Sequence, residues 1–93
     1  MITKEKVKEI VENYINEKNI SHTKLLDDVE KIALWKSDKI AYGKREGEIT
    51  DVYIYRYLAM WTQEEKGMNV SVDAKTGELL YIMTPHWYID IEK

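Results

Sequence analysis

The chain has no cysteine and no phenylalanine, one proline and only four glycines in 93 residues. Without cysteine there is no disulfide, no thiolate metal site and no thiol nucleophile. That fits a reducing compartment. The glycines are scattered, so no glycine-rich phosphate loop can be assembled. No apolar run approaches the roughly 18 residues that a membrane span needs, and no membrane partner is expected. No basic patch stands out. Residues 1–50 hold ten basic and ten acidic side chains, and residues 51–93 hold four and seven. The net charge is −3, and nucleic acid is not an expected partner. The chain enters a helix at once without a signal peptide, so a cytoplasmic location is expected, and an extracytoplasmic one only if a leader has been removed.

What remains is 44% apolar and 33% charged, the composition of a soluble globular domain. A chain this long buries roughly 60–70% of the surface its unfolded form exposes, enough for one modest core. Residues 1–93 therefore read as a single domain. Seven tyrosines and three tryptophans replace phenylalanine, so the large side chains mostly carry a polar tip. Such residues suit half-buried positions and interfaces.

The most legible stretch runs from Met68 to Met83. Met68, Val70 and Val72 alternate with Asn69, Ser71 and Asp73, the period of a strand with one buried face. Asp73-Ala74-Lys75-Thr76-Gly77 is turn chemistry, with Asp73 able to hold backbone amides and Gly77 able to take positive φ. Leu79, Tyr81 and Met83 then alternate again. The segment reads as a β-hairpin.

Upstream, Thr3 is placed to cap a helix, with Ile2 and Val7 as a hydrophobic staple. Val7, Ile10, Val11, Tyr14 and Ile15 make one apolar stripe. Asn19 suits a left-handed closing position that sets Ile20 over Ile15. A one-sided helix must lie on something, and a sheet is expected. Residues 21–35 fit both a helical face and a strand, with a strand over about residues 28–36 preferred. Residues 36–50 read as a charged surface connection, with Ile40 to Tyr42 as a possible short extension.

Residues 51–62 predict the clearest long strand. Val52, Ile54, Leu58 and Met60 point one way, interrupted by Arg56. Tyr53, Tyr55, Tyr57, Ala59 and Trp61 point the other. The aliphatic face is expected to meet the helix, with Arg56 either pairing to Asp51 or an acidic helix residue or snorkelling to solvent. Glu64 to Gly67 should turn the chain into the hairpin. Thr84-Pro85 ends the last hairpin strand. Trp87, Ile89 and Ile91 then alternate as a final short strand or an ordered tail. The predicted class is α+β: an N-terminal amphipathic helix packed on a three- to four-stranded antiparallel sheet.

Two families resemble this pattern. Trp61 in a strand, followed by Val70-Ser71-Val72-Asp73-Ala74-Lys75-Thr76-Gly77-Glu78-Leu79-Leu80, resembles the PepSY-like domains over roughly residues 3–83. That resemblance implies a non-catalytic module, often extracytoplasmic, associated with restraining or assisting peptidases. The start Met1-Ile2-Thr3-Lys4-Glu5, the same hairpin and the segment Thr84 to Ile89 resemble bacterial immunity proteins of the immunity protein 35 type. Their Gly-Trp-aromatic strand is missing here, with Met60-Trp61 the nearest match. Both resemblances imply a binding module rather than an enzyme.

Candidates for chemistry are thin. His86, with Asp90 four residues on, and the isolated His22 read as surface residues rather than as bases or ligands. Without cysteine they could hold a metal only by recruiting carboxylates, so no metal or cofactor is expected. Asp27-Asp28 and Glu64-Glu65 read as solvated turn residues. The aromatic row is the better candidate. Tyr53, Tyr55, Tyr57 and Trp61, with Trp87 from the tail, are the predicted partner-binding residues. Tyrosine and tryptophan concentrate interface energy. The competing reading makes the row a second core layer covered by the tail. The expected function is non-enzymatic: a protein-binding module that inhibits a toxin or peptidase, or a homo-oligomeric structural or regulatory domain that uses the same face on itself.

Overall fold

A computed structural model describes residues 1–92. One helix, α1 (Lys4–Glu17), is followed by a single 3-10 turn (Val29–Lys31) and five strands: β1 (Ala33–Lys39), β2 (Ile49–Trp61), β3 (Glu64–Asp73), β4 (Leu79–Met83) and β5 (Tyr88–Asp90). The strands form one antiparallel sheet in the order β1-β2-β3-β4-β5. The α+β class is as expected, but the strand number is five rather than three or four. The tail supplies the extra strand, because Met83, Ile82 and Tyr81 offer a free ladder edge to Tyr88, Ile89 and Asp90.

The helix begins and ends as its sequence dictates. The Thr3 hydroxyl accepts the Lys6 amide at 3.1 Å. Asn19 closes the C-terminus at φ 54°, with the Ile20 amide donating to the Ile15 carbonyl at 2.9 Å and the Asn19 amide to Asn16 at 3.2 Å. This double closure satisfies carbonyls that a helix end leaves orphaned.

Residues 21–32 are neither the helix nor the strand that their pattern allowed. Lys24 makes an isolated bridge to Leu58 on the edge of β2, and β1 starts only at Ala33. The strand then runs through Lys36 to Lys39, interrupted between Trp35 and Asp38, where Ser37 takes φ 51°. The expected connection over residues 36–50 is strand at its two ends, with a turn at 40–48 between them, and the short extension expected at Ile40 to Tyr42 lies in that turn and is not strand. Nor is Glu64 to Gly67 a turn. Trp61 pairs with Glu64, and the loop is Thr62 and Gln63 alone, both at positive φ. Two central residues with φ above zero match the right-handed twist of the flanking strands.

The Met68–Met83 hairpin is present. Asp73 accepts the Lys75 and Thr76 amides at 2.8 and 3.3 Å, and Gly77 sits at φ 81°. A side chain at Gly77 would also meet the Ile10 Cδ1 atom at 2.9 Å. Gly77→Val is therefore expected to lower stability by about 2 kcal/mol, from a β-branched residue forced into the left-handed region and pressed on the helix. An unchanged urea midpoint would show that the turn is not as described.

The sheet faces are the reverse of the expectation. The helix lies on the tyrosine row. Val7, Val11, Tyr14 and Ile15 pack with Tyr53, Tyr55, Tyr57 and Ala59 of β2, with Met68, Val70 and Val72 of β3, and with Ile82 of β4. The aliphatic residues of β2 face away from the helix. There Val52 and Ile54 join Ile40, Leu80 and Tyr81 in a small second cluster, flanked by Tyr42 and Tyr88.

Three physical causes decide the face. Antiparallel pairing sets Tyr53 against Val72, Tyr55 against Val70 and Tyr57 against Met68, so the tyrosines share a face with the apolar side of β3. The other face of β2 pairs with Gly67, Asn69, Ser71 and Asp73, and it carries Arg56. Burying that arginine under a helix without a partner would cost several kcal/mol. Finally, two of the tyrosine hydroxyls find partners at the margins of the helix.

Candidate partner-binding face

Of the predicted binding residues, Tyr53, Tyr55 and Tyr57 are all buried under α1. The Tyr53 hydroxyl donates to the Ile2 carbonyl at 2.9 Å. The Tyr55 hydroxyl donates to Glu12 at 2.7 Å and accepts the Leu26 amide at 3.0 Å. Burial, and then the Glu12 carboxylate beside it, push the Tyr55 hydroxyl well above the usual tyrosine range. Burial raises Tyr57 as well. These residues are core, and no partner reaches them while the helix is in place. They are covered by the helix, not by the tail around Trp87.

Trp61 lies at the end of the same face, partly buried, with its indole N–H unpaired among the described residues. His86 leans on its ring at 5.9 Å between centroids. Trp87 is open to solvent, 69% exposed, and touches Tyr88 edge-on at 6.3 Å. The five predicted residues therefore do not form one surface. Four line the helix face of β2, and Trp87 stands at the far edge of the sheet.

The uncovered face is the opposite one. Cross-strand pairing there aligns Trp35 with Val52, Ile54 with Ser71, Arg56 with Asn69, Met60 with Glu65, and Met83 with Asn69. Trp35, Ile54, Arg56, Ser71, Tyr81 and Met83 line a groove of about 250 Å³ in it. Trp35, Met60 and Met83 are all exposed on this face, and Arg56 is exposed at its centre. At one end Tyr42 stacks on Tyr88 at 5.5 Å, and Tyr81 meets Tyr88 edge-on at 5.3 Å.

The chain has two arginines, and their situations differ. Arg45 clamps the 40–48 turn to the hairpin, reaching Asp73 and Glu78 at 2.7 Å each and Glu48 at 3.0 Å. Those hydrogen bonds, Asp73 first, raise its already high pKa. Arg56 makes no ion pair or side-chain hydrogen bond among the described residues. The expected partner Asp51 instead accepts the Ser37 amide at 2.8 Å. The Arg56 guanidinium lies on Gly67, where a Cβ would stand 2.3 to 2.5 Å from its atoms.

His22 is exposed, with its Nδ1 at 2.9 Å from the Ile20 carbonyl. Among the described residues no three His, Cys, Asp or Glu side chains come together as a metal would require. No helix among them is long and apolar enough to cross a membrane. No protein-family model matches the chain, and neither the curated proteins nor the solved structures contain a match.

Sequence reasoning missed Trp35, Arg56 and Met83 as members of one surface. The signal was Arg56 itself, the one charge inside the run from Val52 to Trp61.

Proposed function

We propose that the protein is a non-catalytic protein-binding module that engages its partner through the uncovered sheet face. The observation that carries this reading is Arg56, exposed and unpaired, in a surface shared with the exposed side chains of Trp35, Met60 and Met83. Arginine, tryptophan and methionine are enriched where interfaces bury their energy. The PepSY-like and immunity protein 35 likenesses of the hairpin and the N-terminus support the same class. On that basis the partner is a peptidase or toxin, and the module acts as its inhibitor or immunity protein.

The test uses the proteins encoded beside this one as candidate partners, with affinity measured by calorimetry. Trp35→Ala is expected to weaken binding at least tenfold. It should leave the domain folded, with a stability loss of about 1–2 kcal/mol for a half-exposed indole. A folded Trp35→Ala variant that binds its partner as tightly as before would sink the proposal.

A further inference from the structure

The surroundings of Arg56 say what kind of group the face is built to meet. Arginine in this chain is otherwise neutralised: Arg45 holds three carboxylates. Two carboxylates on its cleft and its face, Asp27 and Glu65, each have another partner. Asp27, which lines an edge cleft of about 220 Å³ together with Arg56, is held by Lys31 at 3.0 Å. Glu65, on the same face as Arg56, accepts the Thr23 hydroxyl at 2.6 Å. Lys24 and Lys31 also line that cleft. The vicinity of Arg56 is thus locally positive in a protein whose net charge is −3.

Gly67 adds an independent observation. It lies inside β3, pairs with Leu58, and does not adopt positive φ. Nothing in its backbone conformation asks for glycine, and glycine in a strand interior costs stability. What its missing side chain provides is room. The guanidinium lies over Gly67 where a Cβ would otherwise stand, while Arg56 stays exposed to solvent. A guanidinium held this way presents a planar fork, the geometry that binds a carboxylate with two hydrogen bonds. Ser71 lies almost fully buried in the groove floor. Trp35, Tyr81 and Met83 supply apolar walls.

We infer that Arg56, seated on Gly67, receives an acidic side chain of the protein partner, while Trp35 and Met83 receive apolar side chains beside it. This rests on the binding-face reading above and specifies its partner. The recognised segment carries a glutamate or aspartate flanked by apolar residues on the same side of an extended chain. Such spacing places every second residue against the face.

The probe is a peptide of sequence leucine-alanine-glutamate-alanine-leucine, acetylated and amidated so that its only charge is the glutamate. The protein is labelled with nitrogen-15, and the Trp35 indole, the Arg56 Nε–H and the Gly67 amide are followed during titration. The glutamate peptide is expected to shift all three signals. Its glutamine counterpart should bind at least fivefold more weakly. Arg56→Gln should abolish the difference between the peptides, and raised salt should shrink it.

Gly67→Ala separates a seat for Arg56 from a mere structural glycine. The domain should remain folded and melt no lower, since alanine suits a strand better. Preference for the glutamate peptide should nevertheless fall at least threefold, because the Cβ displaces the guanidinium. If both peptides bind the groove equally and Arg56→Gln changes nothing, the carboxylate inference is overturned while the binding face stands. If neither peptide moves signals on this face, or the shifts map to another surface, both readings fall.

Discussion

Tyr55→Ala is expected to cost about 4–5 kcal/mol, most of the stability a domain of this size has. Tyr55 is fully buried on β2 within the larger core, beneath α1. Truncation would leave a cavity that the rigid sheet cannot close. It would also strip the Leu26 amide and the Glu12 carboxylate of a hydrogen bond each. Glu12 keeps Lys8 at 2.7 Å, so its loss is partial. Tyr55→Phe keeps the volume and isolates the polar part, which should amount to about 1–2 kcal/mol. Urea denaturation of both variants measures the two contributions. A stable Tyr55→Ala variant would mean that the helix does not sit on this face, and the row would be open to partners after all.

The second large effect lies at the other end of the sheet. Asp73→Ala is expected to cost about 2–3 kcal/mol. Asp73 is almost fully buried, caps the hairpin turn through two amides, and takes the Arg45 guanidinium at 2.7 Å. Removing it orphans the Lys75 and Thr76 amides and weakens the tie between the 40–48 turn and the end of β3. Arg45 retains Glu78 and Glu48, both at the surface, which keeps the loss below that of a fully buried pair.

Asp73 also predicts a pH dependence. Burial alone would push its carboxyl upward, but the Arg45 guanidinium and the two turn amides outweigh burial and hold it below the usual carboxylate value. A group whose pKa is lower folded than unfolded binds fewer protons in the native state. Its contribution is complete above the unfolded value of about 4 and is lost as the pH falls through the lowered one. Thermal melts from pH 7 to pH 2 should therefore show an acid limb that is shallower in Asp73→Ala. Equal slopes in the two proteins would rule out Asp73 as a source of the acid sensitivity.

Much of this structure was legible before any coordinates. The Thr3 cap, the apolar stripe of α1, the Asn19 closure, the Asp73–Gly77 turn and the alternation in β2 and β3 each rest on neighbours within a few residues. Local sterics and local hydrogen bonds decide such features. Even the face of the sheet that meets the helix was within reach. A hairpin loop of two residues or of four gives the same parity between β2 and β3. Either one puts Tyr53, Tyr55 and Tyr57 on the side of Met68, Val70 and Val72. Ranking aliphatic residues above tyrosine as core obscured this, because a tyrosine is as buriable as its hydroxyl is satisfiable. The Ile2 carbonyl, Glu12 and the Leu26 amide, which satisfy Tyr53 and Tyr55, lie 29 to 51 residues away along the chain.

By itself the sequence determined the elements: a capped amphipathic helix, a long alternating strand, a turn that needs Asp73 and Gly77, and an arginine set within an apolar run. Tertiary structure alone decided which elements meet. It carried Lys24 to the edge of β2, ran β1 through a charged stretch, and brought the tail back as β5. It also laid the helix over the tyrosines, which left Arg56 on the outside. The reason is one of range. Caps and turns are satisfied within one turn of backbone, whereas a face is buried or exposed according to what long-range pairing places above it. Arg56 is on the open side because no helix could cover it without supplying a counter-charge, and α1 commits Glu12 to Tyr55 and Lys8 instead.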